Sequence, residues 1–565
     1  MAAGRPRRSA RGRRPRPLAA LAQLERWRDR GAETDDPARL LRLLAAAVAG
    51  KLATAAQARR LHELLCFLRA FGPELRARAA AERALAGFAR RADLRAQRQR
   101  LASSSIAGTV TEYPFFWPTA RWLAARWRGR LRLDRSDAEA DRNLARALPL
   151  LVSPLEAAAP RELRLSGYAA LGRLRPRGQT DAEFLIARVA VMPGDEFTRE
   201  AFYDAINPSA VLAPGGDTPA RGRERFGPAP VALRRAPLRR IRPDLRAELR
   251  RPPASVRRLS AAEGAQLVDL ARGAMVARSR DLDAFAYGNA RDAWLVDDGD
   301  GLAFALNGVL PPRRPRIAAI YGGLTLVNGV PVGYLQADIA GRAAALSFNT
   351  FETFRGGEAA WHLARLLAAL RSLFGVDAFS IEPYQLGRDN DEGIASGAWW
   401  FYFKLGFRPR ASAARALAAE ELARVLRRPG YRSSAATLRR LAAHPLFFDL
   451  DPRRRTPLPP LAALGLRVAR LFAARDADRE AARARIEREA AAALGLRSPA
   501  ALTADERRAF ADFAPLALLA GAPRWPLAAR RDLLVLVRAK AAASERDYAL
   551  RLAAHQAFRR AILRQ

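Results

Sequence analysis

The sequence predicts an α+β protein of several domains, in which a mixed sheet with its own helices is flanked by mostly α-helical regions. Three observations predict it. Alternating β-branched and aromatic residues run from Tyr321 to Thr353 across glycine turns. Leucines recur at three- and four-residue spacing well before and well after that stretch. A Pro- and Arg-rich segment, Pro214 to Pro253, divides the chain. At 565 residues the chain is also too long for one hydrophobic core.

Residues 1–17 carry arginines from Arg5 to Arg16 and no acid. They are basic like a transit peptide, but no apolar h-region follows, so they read as a disordered basic tail and not as a secretory signal. Residues 18–102 read as a helical bundle. Leu40, Leu41, Leu43 and Leu44, then Leu61, Leu64, Leu65 and Leu68, mark one face, and Gly72-Pro73 interrupts it. Cys66, the single cysteine, falls among those leucines, which excludes a disulfide framework and places it in a helix core. Four dispersed histidines leave a Cys/His metal site almost no ligands.

Residues 103–213 read as a mixed, mostly helical module. Tyr113-Pro-Phe-Phe-Trp-Pro118 with Trp122 and Trp127 fits a packed aromatic core better than a base-stacking surface. Ser136-Asp-Ala-Glu139 and Thr180-Asp-Ala-Glu183 are capping boxes that open helices. Residues 214–254 lack periodicity and read as a linker or an extended arm. Ser260-Ala-Ala-Glu263 opens the first helix of a domain over 255–412. Within it, Asp297-Asp-Gly-Asp-Gly301 reads as a hairpin turn, since an EF-hand would need a downstream Glu.

In that domain a hairpin (Tyr321 to Leu335) and a third strand (Ala344 to Thr353) lead into Phe354-Arg-Gly-Gly-Glu-Ala359. A helix, Trp361 to Phe374, and a buried strand, Ala378 to Pro383, follow. After a long loop, 384–393, comes Phe401-Tyr-Phe-Lys-Leu-Gly-Phe407. Two glycines at a helix start leave free N–H groups suited to phosphate. Residues 413–565 read as a C-terminal helical region, with Thr503-Ala-Asp-Glu506 as a further capping box.

Phe401–Phe407 resembles the helix-to-strand corner of the GNAT superfamily of N-acyltransferases, where a Tyr precedes Gly-Phe by four residues. Phe354–Ala359 resembles the same superfamily's acyl-CoA pyrophosphate motif, Gln/Arg-x-x-Gly-x-Gly/Ala. Phe354 stands where that motif has a polar residue, so Arg355 would serve the phosphates. The resemblance implies an acyltransferase moving an acyl group from acyl-CoA, acetyl-CoA first among them, to an amine. Phe354, Arg355, Gly356, Gly357, Glu358 and Ala359 would bind the cofactor. Tyr402 would be the general acid, although it also fits an aromatic packing cluster. Glu382 or Glu352 would be the base, or a water chain would do that work. Asp389, Asn390 and Glu392 would attract a cationic amine acceptor, a small molecule or a protein, or form a plain solvated loop. No metal is implied.

Nearly all the positive charge is arginine, with Lys51, Lys404 and Lys540 the only lysines, and the excess is +40. Such a charge favours polyanions, and the tail and linker are the segments best suited to nucleic acid. Two alternatives follow from it: transfer from an aminoacyl-tRNA on the same fold, and a non-enzymatic nucleic-acid-binding or scaffold protein. No apolar run of about eighteen residues occurs, so no transmembrane segment is expected, and a cytoplasmic protein is.

Overall fold

The computed structural model describes residues 16–30, 36–227, 231–234, 238–239, 241–457 and 460–563. Most of the expected basic tail, residues 1–15, and parts of the expected linker, residues 228–230, 235–237 and 240, lie outside them. The chain is mixed α/β and forms two compact units, the first comprising residues up to Arg225 with Val231–Leu238 and Gly273–Asp281.

In the first unit, helices Pro37–Ala49, Ala55–Phe71 and Leu75–Gly87 bury the leucine face read from the sequence, with Leu61, Leu64, Leu65 and Leu68 fully enclosed. Strands β1 (Thr111–Tyr113), β2 (Leu131–Leu133) and β3 (Ala210–Leu212) form a small antiparallel sheet in the order β1-β3-β2. Its core holds Phe115, Trp117, Leu123 and Trp127, so the aromatic segment is interior. Burial, with Arg221, Arg69 and Arg278 nearby, pushes His62 down to about 3, and burial pushes the Cys66 thiol up to about 12. Both groups stay neutral near pH 7, which suits packing and not chemistry. The helix expected to start with Ser136 is instead capped by Asp137, whose carboxylate accepts from the N–H groups of Glu139 and Ala140. A carboxylate is a strong acceptor for those donors and sets the cap one residue later.

The second unit is built on nine strands: β4 (Ser255–Arg258), β5 (Gly288–Gly299), β6 (Leu302–Val309), β7 (Ala319–Val327), β8 (Val330–Ala340), β9 (Ala343–Thr350), β10 (Ala378–Ile381), β11 (Arg408–Pro409) and β12 (Leu446–Asp449). Their order is β11-β12-β10-β9-β8-β7-β6-β5-β4. β4 to β9 form an antiparallel meander; the Asp300-Gly301 and Asn328-Gly329 turns, all at positive φ, match the strand twist as type I′ turns do. β9 and β10 are parallel, which requires a crossover, and the helix Ala359–Phe374 supplies it.

That helix is buried around nearly its whole circumference. Arg365 at its centre is fully enclosed, its guanidinium bonded to Asp298 at 2.6 Å and to the carbonyls of Glu248 at 2.7 Å and Arg251 at 3.0 Å. Asp298 lies near the end of β5, ahead of the Asp300-Gly301 turn, so the strand takes in part of the acidic run expected to be the turn; Glu248 belongs to a helix, Leu245–Arg250, inside the segment expected to be a linker. That part of the segment is an ordered arm packed on the crossover helix.

Three expectations need correction. The domain boundary at residue 412 does not hold, because β12 lies beyond it and pairs with β10 over Leu446–Asp449. β10 would otherwise leave an edge of buried polar backbone groups, and Leu446–Asp449 satisfies it, with Leu446 and Phe448 buried and Phe447 and Asp449 half-buried. The loop at 384–393 contains helical turns, Pro383–Leu386 and the start of Asp391–Ser396. Asn390 caps the latter through the Gly393 N–H at 3.2 Å. β9 ends at Thr350, so Glu352 sits in a 3₁₀ turn, Glu352–Phe354, and not in the strand. Among the described residues no helix is long and apolar enough to cross a membrane.

Candidate functional site

β9 and β10 pair from Ala343↔Ala378 to Leu346↔Ile381 and then part. Pro383 ends β10 because it has no N–H to give a ladder. β9 runs on to Thr350, paired only with β8. β9 therefore continues past the end of β10 at the carboxyl ends of the sheet's parallel pair, the end where open α/β sheets bind ligands. Tyr402, on the helix Ala398–Lys404, donates its hydroxyl to the carbonyl of Phe348, on the length of β9 beyond its pairing with β10, at 3.4 Å. The side chain is buried among Phe401 and Phe407, and burial raises its pKa, so the phenol stays protonated.

Side chains alternate across a sheet, and the face of β8 to β10 carrying Tyr334, Gln336, Asp338, Ser347, Asn349 and Ser380 is polar. The Gln336 amide donates to Asp338 at 3.1 Å, and the Asn349 amide to the Tyr334 hydroxyl at 3.3 Å. Glu382 lies two residues past Ser380 at the end of β10. Partial loss of hydration raises the half-buried Asp338 carboxyl and, with less force because its side chain is exposed, that of Glu382, which Asp338 raises further. Two neighbouring carboxyls whose pKa values are pushed upward are an arrangement general-base chemistry uses. Asp338 was not anticipated from the sequence, although the alternation Tyr334-Leu-Gln-Ala-Asp338 signals a polar face.

The turn after β9 divides its residues sharply. Phe354 and Glu358 are buried, whereas Glu352, Arg355 and Gly356 are exposed. Gly356 has φ +81° with open space on its Cβ side, and the backbone from Gly357 to Ala359 heads the crossover helix. Glu358, the N-terminal flank of that helix, accepts from the Arg239 N–H at 2.8 Å and lies 3.9 Å from His362. Arg355 donates to the Thr350 carbonyl at 3.2 Å and is paired with Glu392 at 2.5 Å. Asp391 is held by Arg439 at 3.0 Å, and Asp389 is exposed. The acidic loop thus divides: Glu392 faces the glycine turn, Asn390 is a helix cap, and Asp391 turns to a neighbouring helix. Among the described residues no group of three or more His, Cys, Asp or Glu side chains is arranged to hold a metal ion.

Compared with protein-family models, with curated proteins and with solved structures, the chain matches none.

Proposed function

We propose that the second unit is a GNAT-like N-acyltransferase that moves an acyl group from an acyl-CoA thioester to an amine. The observation that carries the reading is the Tyr402 hydroxyl on the length of β9 beyond its pairing with β10, in a sheet whose polar face bears Asp338 and leads to Glu382. Arg355 and the backbone N–H groups of Gly356, Gly357 and Ala359 fit a pyrophosphate, because they are an exposed cation and a helix head. Phe354 and Glu358 are buried and take no part in this reading.

Acyl-CoA supplies the activated acyl carbon. Glu382, with Asp338 behind it, takes a proton from the amine as its nitrogen bonds to that carbon. Tyr402 gives its phenolic proton to the thiolate released when the C–S bond breaks. A phenol held neutral by burial suits an acid, and carboxyls raised toward neutrality suit a base.

Glu358 favours a second reading. Its carboxylate is buried at the N-terminal flank of the helix, where it competes electrostatically with a bound phosphate. Together with the +40 charge, this favours a donor or partner held by wider contacts, an aminoacyl-tRNA or another RNA. Calorimetric titration with acetyl-CoA at moderate salt decides between them. Saturable binding that is lost in Arg355→Ala supports the acyl-CoA enzyme; absence of binding, with salt-sensitive affinity for RNA, replaces it with the RNA-linked reading.

A further inference from the structure

At the other end of the nine-stranded sheet, away from Tyr402 and Glu382, lies a cavity of about 320 Å³. Its walls come from the turn between β8 and β9, from Asp377 ahead of β10, from the chain leaving β12, and from the helices Arg546–Ala554 and Gln556–Leu563. Ile317, Leu552 and Ile562 form an apolar, buried floor. Arg342, Arg454, Arg455 and Arg559 stand around it.

The acids at the cavity are already engaged. Asp377 accepts from Arg342 Nε at 2.9 Å, Asp449 from Arg410 at 2.9 Å, and Asp451 lies 3.6 Å from Arg454. Among the described residues Arg559 is in no ion pair within 4 Å, although Asp377, itself paired with Arg342, attracts it. Its Nη1 donates to the Ala553 carbonyl at 2.7 Å, while its Nε is buried with no hydrogen-bond partner. Burial first, then the neighbouring Arg342, push its pKa down by more than Asp377 raises it. A partly dehydrated guanidinium beside a second one is held at a cost that a counter-anion relieves. The position is also built for this arginine: Gly341, at φ +65°, leaves room for its stem, whose Cδ lies 3.2 Å from where a Cβ would stand.

We propose that this cavity is a second binding site, for a small organic anion whose head meets Arg559 and Arg455 and whose apolar body lies on Ile317, Leu552 and Ile562. The volume falls within the range of about 300–1,000 Å³ usual for small-molecule sites. A carboxylate and a phosphate ester share this chemistry, and either head suits a guanidinium.

The test is calorimetric titration of the full chain with octanoate and with octyl phosphate, using octanol as the neutral control. Moderate salt suppresses non-specific attraction to the +40 chain. Expected is saturable binding of at least one anion, at least tenfold tighter than octanol; the tighter of the two anions identifies the head group. Arg559→Gln should weaken it about tenfold or more. Arg455→Gln, at an exposed position that does not burden folding, should weaken it severalfold, and Tyr402→Phe should leave it unchanged. Failure of both anions to bind, equal affinity for octanol, or affinity unchanged in both arginine variants overturns the proposal.

Discussion

The Arg355 guanidinium lies 2.5 Å from the Glu392 carboxylate, tying the glycine turn after β9 to the helix Asp391–Ser396. Both side chains are 42% exposed, so the pair contributes no more than about 1 kcal/mol. If Arg355 receives an anionic donor, Glu392 competes with that donor. Glu392→Gln should then tighten acetyl-CoA binding by up to about fivefold, the equivalent of ~1 kcal/mol, in titrations at fixed ionic strength. Unchanged or weaker binding would separate Arg355 from the phosphates.

Tyr402→Phe distinguishes chemistry from packing. The bond to the Phe348 carbonyl is long, so its loss should cost about 0.5 kcal/mol of stability, the low end for a hydrogen bond. The aromatic contacts with Phe401 and Phe407 survive the change. Turnover should fall by about 10²–10⁴, the usual contribution of a positioned acid. A variant with the same thermal midpoint and full turnover would leave Tyr402 as an ordinary core aromatic.

The paired carboxyls predict a pH dependence with a definite sign. Burial raises Asp338 in the folded chain, so between its ordinary and its raised pKa the folded state binds more protons than the unfolded. Stability from this group therefore falls as pH rises through that window, and the penalty is complete above it. Asp338→Asn should stabilise the chain at pH 7 relative to wild type, and the gain should shrink as pH is lowered toward 4. Activity should change the opposite way: its acid limb should lie above the usual carboxylate range and move in Glu382→Gln. A stability difference independent of pH would show that Asp338 is not titrating in that window.

Local signals were legible in the sequence and long-range ones were not. The β7–β8 hairpin announces itself through Asn328-Gly329 between apolar runs, and the crossover helix through its leucines and Gly375, whose φ of +70° closes it. The capping boxes at Thr180 and Thr503 close as their spacing implies. β12 escaped because four residues between helices carry no periodicity of their own; it is a strand only because β10 offers an edge. Asp338 escaped for a related reason: its significance comes from Glu382, which meets it only after β9 and β10 pair in parallel. Arg355 and Glu392 were each singled out in the sequence, but their pairing to one another depends on how the 384–393 segment folds.

The buried ion pair between the crossover helix and β5 gives the strongest expectation about stability. Arg365 is fully enclosed and Asp298 has a side chain only 4% exposed, so neither charge can be rehydrated without opening the structure. Asp298→Ala leaves the guanidinium with backbone carbonyls and Glu248, 3.3 Å away, as its remaining partners. Removing one partner of a buried pair costs about 3–5 kcal/mol, which should appear as a lower midpoint in urea unfolding. Asp300→Asn is the control: it lies in the adjoining turn with its side chain 88% exposed, and Asn tolerates its positive φ, so the change stays within about 0.5 kcal/mol. The loss should be accompanied by faster amide exchange in the Leu245–Arg250 helix, because Arg365 holds its Glu248 carbonyl. Equal midpoints for the two variants would mean that the helix and the hairpin are held by apolar packing alone.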